Sequence, residues 1–143
     1  MTGAIVCVAV LAVAAGCGMI WKRRNGRMSA ASTGDTLTAA DLGGPLGARA
    51  TLVQFSTAFC APCRATRVVL AGVAGQLDGV THVEIDAESH LDLVRKLDIR
   101  RTPTVLVLGP DGRIARRASG RPGKADVLAA VGSLTQNRDA LPS

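Results

Sequence analysis

Apolar positions follow three patterns along this chain. From Gly3 to Trp21 they are unbroken: GAIVCVAVLAVAAGCGMIW runs for 19 residues without a charge. As a helix rising about 1.5 Å per residue it spans about 28 Å, near the hydrocarbon thickness of a bilayer. Further on, short β-prone runs alternate with helical spacings. ATLVQFS (50–56) and TVLVLG (104–109) predict buried strands, and VTHVEID (80–86) alternates as a strand with one face inward. Val69, Val73 and Leu77 share one side of a helix predicted from Pro62 to Leu77, with Gly79 ending it. LDLVRKL (91–97) is a short amphipathic helix, and a last helix is predicted from Gly123 to Leu134. Pro110-Asp111-Gly112 is a turn that folds RIARRAS (113–119) back on the preceding strand. Before these elements, LTAADLGGPLG predicts a small helix capped by Thr38 and ended by Gly43 and Gly44. Strand, helix, strand, helix, strand, strand, helix is the order of an α/β fold, a mixed sheet with helices on both faces.

The third pattern is polar. Lys22, Arg23, Arg24 and Arg27 follow the apolar run at once, and residues 28–36 are small and polar, as a tether is. The expected division is an anchor over 1–21, a basic juxtamembrane segment and linker over 22–36, a domain over 37–138 and a tail over 139–143. A cleavable leader carries its positive charge before the apolar run, and MTGAIV has none on a side chain. The expectation is therefore one transmembrane helix, residues 3–21, in the cell membrane. Because cytoplasmic flanks carry the excess of Lys and Arg, the domain is expected in the cytoplasm, a reducing compartment.

Composition narrows the chemistry. The 143 residues carry a formal charge of +6, but four of the 17 basic side chains sit beside the apolar run, and the other 13 share the rest of the chain with all 11 acids. No aromatic residues interleave with a basic stripe, so nucleic acid is not an expected partner. One Trp, two Phe and no Tyr leave the core to small aliphatics.

Four cysteines are present: Cys7 and Cys17 within the apolar run, and Cys60 and Cys63 as the only close pair. Three readings compete for that pair: a redox dithiol, half of a metal site, or packing. Zinc in a structural site takes four ligands, and the remaining candidates are His82 and His90 alone. Packing leaves unexplained why both thiols, with Pro62 between them, fall where a strand gives way to a helix. A redox cysteine works as the thiolate, which the unpaired N–H groups and dipole at a helix start favour. Pro62 suits the first helical turn, and Arg64 and Arg67 lie about a turn onward. On this reading Cys60 attacks a substrate disulfide and Cys63, one turn behind and less exposed, resolves the mixed disulfide.

TLVQFSTAFCAPCRATRVVL and RRTPTVLVLGPDGRIARRASG resemble, in that order, the strand, active-site turn and long helix, and then the proline loop, hairpin and following glycine, of the thioredoxin family. The likeness runs from about Leu37 to Leu134 and suits a membrane-anchored bacterial member. It implies a thioredoxin-like mixed sheet flanked by helices, preceded by one transmembrane helix. It further implies a cis peptide bond before Pro103 and a substrate groove formed by Phe59, Ala61, Pro62, Thr102, Pro103 and Gly120, the last allowing close approach of a substrate. Protein disulfides would be the substrates, thioredoxin reductase using NADPH the electron donor, and no cofactor or metal would be bound. The implied activity is reduction of protein disulfides. An extracytoplasmic oxidase or maturation reductase, or a redox-sensitive adaptor without turnover, are the alternatives. The sequence departs from the family at four places. Phe59 and Ala61 replace the usual Trp and Gly around the first cysteine, and Val68 replaces a proline. Gln54 stands where an Asp commonly helps move a proton from the second cysteine, and His82 stands where a Lys accompanies it. His82 is therefore the candidate proton acceptor for Cys63.

Overall fold

The computed structural model describes residues 2–31 and 34–139. The first element, α1, runs from Thr2 to Arg24, so the apolar helix continues through Lys22, Arg23 and Arg24, which occupy its last turn. It is long and apolar enough to cross a membrane, and none of its residues is buried by the protein. The basic side chains there also complement the negative end of the helix dipole.

The segment read as a tether instead joins the sheet. Ser29–Ala30 form a short strand, β1, antiparallel to β5 (Ile114–Ser119), with Ser29 opposite Arg117 and Ala30 opposite Arg116. Thr36 makes a further bridge to Arg113, and Leu37 is fully buried. Main-chain pairing of small polar residues requires no apolar alternation, so no sequence pattern announces it. Residues 32 and 33 of that segment, and the expected tail after Asp139, lie outside the described residues.

Helix α2 is Ala39–Leu42. Thr38 caps it in a capping box with Asp41, and Gly43, at φ 67°, ends it in the left-handed conformation. Strand β2 is Ala50–Ser56, helix α3 Ala61–Gln76, strand β3 Val80–Asp86 and helix α4 Leu91–Lys96. Strand β4 is Thr104–Leu108 and helix α5 is Lys124–Asp139, longer at its C-terminal end than the sequence pattern indicates. The strand order is β1-β5-β4-β2-β3, with β2 parallel to β3 and antiparallel to β4. The sheet is mixed, as expected, and central β2 is buried along its whole length.

Each face of the sheet has its own core. Leu52, Val80, Val105 and Val107 pack with Leu70 and Val73 of α3 and Val127 and Val131 of α5. Val53, Phe55, Ile85, Leu106 and Leu108 pack on the other side with Leu37, Leu42 and Leu97. Alternate residues of β2 therefore serve opposite cores, as the period of two demands. Gln54, between Val53 and Phe55, faces α3.

Candidate active site

The chain leaves β2 at Ser56 and enters α3 at Ala61, and the turn between them carries the dithiol. Cys60 is the N-cap of α3, in extended conformation, and its Sγ accepts the N–H of Cys63 at 3.2 Å. Pro62 lies in the first turn, where its missing N–H leaves no bond unmade. The two sulfurs form a disulfide of 2.03 Å, with the Cα atoms 5.2 Å apart. The two cysteines differ sharply in setting: Cys60 is partly exposed, while Cys63 is 1% exposed. Phe59 is 100% exposed, and Ala61 and Pro62 are exposed beside it.

Thr102, Pro103 and Gly120 close on the same region. The Thr102–Pro103 bond is cis. Thr102 Oγ1 lies 3.3 Å from Thr57 Oγ1, and Thr57 O in turn accepts the N–H of Cys60 at 3.4 Å. Gly120 donates its N–H to Pro103 O at 2.7 Å. These contacts bring Thr102 and Pro103 beside the turn that carries Cys60, and Pro103 and Gly120 are themselves buried. Gly120, at φ 106°, has a neighbour the sequence did not reveal. A Cβ there would collide with Asn25 Oδ1 and sit 2.8 Å from Arg101 Nη2. The close approach that glycine permits is made by this chain's own side chains.

Beneath the dithiol lies the face of β2 and β3 that meets α3. Gln54, fully buried, donates from Nε2 to Cys63 O at 2.8 Å, and its Oε1 has no hydrogen-bond partner among the described residues. His82 lies opposite Leu52 in the parallel register, two residues before the pairing of Gln54 with Glu84. Its Nε2 is buried and also without a partner among the described residues. Burial holds the His82 imidazole below its ordinary value of 6.5, against the attraction of Glu84, with the Arg67 guanidinium adding to the lowering.

Arg67, expected from the sequence to add positive potential near Cys60, forms a two-point ion pair with Glu84, Nη2 to Oε1 at 2.7 Å. Ser56 Oγ donates to the same carboxylate. The Arg67 hydrogen bond is the largest reason why Glu84 lies below the ordinary carboxylate value, with Ser56 adding to it and partial burial opposing it. This network was not read from the sequence. Its signal was Glu84 itself, a charge on the same alternating face as Val80 and His82.

A mixed sheet whose central strand runs into a helix capped by one cysteine and covering a second defines a thiol–disulfide oxidoreductase site. The thioredoxin family matches residues 46–133, more than half of the chain. The chain belongs to the thioredoxin family. Among solved structures it is similar to chloroplastic thioredoxin z, at 27% identity and a TM-score of 0.56, over 62% of this chain and 80% of that one. A mutant thioredoxin from Halobacterium salinarum NRC-1 aligns at 21% identity and TM-score 0.54, over 61% and 75% of the two chains. Thioredoxin f from spinach chloroplast, in its short form, aligns at 21% and 0.54, over 62% and 79%. The last two, at these identities, bear on the fold alone. No curated protein matches the chain.

Proposed function

We propose that this chain is a membrane-tethered protein-disulfide reductase working through Cys60 and Cys63. The observation that carries the reading is the inequality of the two sulfurs: Cys60 partly exposed on a helix N-cap with a backbone N–H directed at it, Cys63 sealed behind. In the reduced protein the same N–H and the helix dipole favour a thiolate at Cys60. That thiolate attacks one sulfur of a substrate disulfide, the substrate S–S bond breaks, and the departing substrate thiolate takes a proton from solvent. Cys63, once deprotonated, attacks the Cys60 sulfur of the mixed disulfide and releases the second substrate thiol. Two electrons pass to the substrate and the Cys60–Cys63 disulfide remains.

The proton of Cys63 needs an acceptor, and the Gln54 amide is not one. His82, kept neutral by burial on the same sheet face, is assigned that role. Phe59, Ala61, Pro62, Thr102 and Pro103 form the surface on which the substrate segment rests. Helix α1 serves as the membrane anchor, and its basic last turn supports a cytoplasmic domain. A cytoplasmic domain favours reduction as the direction, with a thioredoxin reductase using NADPH supplying the electrons.

Insulin-disulfide reduction by the full chain tests the activity: turnover is expected and is lost in Cys60→Ser. Absence of turnover in the unaltered chain supports an adaptor instead. Labelling of intact cells with an impermeant thiol reagent tests the side. Protection of Cys60 until permeabilisation is expected, and labelling before it places the domain outside, where oxidation or maturation becomes the better reading. For His82, the pH profile of the second exchange step is expected to change in His82→Ala, and an unchanged profile removes it from the scheme.

A further inference from the structure

The end of α1 touches the groove. Asn25 donates its N–H to Trp21 O at 2.9 Å, which makes it the residue on which the helix closes. Gly26, next in the chain, is buried and donates to Ser119 O at 3.0 Å. At φ 83°, it lies so close to the Arg121–Pro122 backbone that a Cβ would stand 3.1 Å from Pro122 N and overlap Arg121. Met28 then packs on the α3 and α5 side of the core, and β1 pairs with β5. The backbone of the connection is fixed at successive points, which holds Asn25 beside Gly120. Its carboxamide fills the space over Gly120, with the Arg101 guanidinium alongside. Gly120 is bonded to Pro103, so this space adjoins the proline loop.

We propose that Asn25 is a specificity-determining wall of the substrate groove, built by the anchor's own terminus. An extended segment that pairs along the proline loop as an added strand needs backbone room as it passes Gly120, and Asn25 with Arg101 takes that room. The substrate class that fits is a disulfide whose cysteine sits in a tight turn or near a chain end, so that the segment stops before Gly120. Cysteines in the middle of long extended segments are disfavoured. The inference rests on the reductase reading and on the groove that accompanies it.

The test uses the full chain in detergent micelles and two substrates: glutathione disulfide, and a disulfide-linked peptide with several residues on both sides of each cysteine. The readout is the ratio of kcat/KM for the long peptide to that for glutathione disulfide. Asn25→Gly is expected to raise this ratio about tenfold, the effect of removing one obstructing polar group, while Asn25→Gln keeps the wall and the low ratio. A second opening variant, Asn25→Ser, guards against poor folding of the first and is expected to shift the ratio the same way. A ratio unchanged in both opening variants overturns the inference while leaving reduction of glutathione disulfide, and so the functional reading, intact. A purely structural role for Asn25 belongs to that outcome, since it lowers thermal stability without changing the ratio. No turnover of either substrate by the unaltered chain overturns the functional reading and this inference with it.

Discussion

Helices α1 and α3 are both rich in alanine and valine, and each is associated with two cysteines, yet they stand in opposite relation to the rest of the protein. Helix α1 buries none of its residues, and Cys7 and Cys17 on it are exposed and unbonded. Helix α3 buries Cys63, Thr66, Leu70 and Val73 and presents Cys60 at its cap. The difference teaches that cysteine chemistry here is a property of place. A thiol in the middle of a helix meets only satisfied backbone, whereas one at the N-cap faces free N–H groups. The same comparison explains the two kinds of apolarity. The α3 stripe has strands to pack against, whereas α1 is apolar all round up to its basic last turn and is covered by none of the described residues.

The largest contrast is catalytic. Cys60→Ser is expected to reduce insulin turnover to the uncatalysed rate, and Cys63→Ser to accumulate a mixed disulfide with substrate, visible by non-reducing electrophoresis. Replacing Cys7 and Cys17 together is expected to leave turnover at the level of the unaltered chain, and a loss there breaks the comparison. Next comes packing. Phe55→Ala empties a fully buried site and is expected to cost about 3–5 kcal/mol, and Leu70→Ala about 2–5 kcal/mol. Leu11→Ala on α1 should leave the denaturation midpoint of the domain where it is.

Acidification sharpens the comparison further, because the sheet face under α3 holds the ionisable groups. His82 is held below 6.5 by burial, so once the pH falls below that value the unfolded chain binds a proton that the folded one resists. Glu84 is held below 4.5 chiefly by Arg67, so its contribution is present above that value and disappears as pH falls through its folded-state value. Stability therefore declines in two stages on going from neutral to acid pH. His82→Asn should remove the first stage, as read by urea denaturation across that range. The smallest effect is expected from Arg67→Ala. The Arg67 side chain is solvent-exposed, so its ion pair with Glu84 adds little to stability, and the acid-side decline attributed to Glu84 should shrink because the chief cause of its lowered pKa is gone.

What the sequence displayed and what it concealed divide along the range of the interactions. The turn from β2 into α3, the capping of α2 by Thr38 and the hairpin at Asp111-Gly112 are local, and each is written in a few adjacent residues. The cis bond before Pro103 was legible only through the family likeness. The contacts of Asn25 with Gly120 and of β1 with β5 join distant parts of the chain through polar or glycine positions, which leave no periodicity to read. Arg67 was visible as a charge near the dithiol, but its partner Glu84 depends on how α3 lies over β3. Gln54 was recognised as an exception to the family, and the structure adds the bond from its amide to the Cys63 carbonyl.

The most direct test is the alkylation rate of each thiol in the reduced full-length protein at neutral pH, followed by mass spectrometry. Cys60 is expected to react faster than free cysteine, and Cys63 far more slowly than either. If Cys60 reacts no faster than free cysteine, the helix cap does not activate it and the account of the site is wrong.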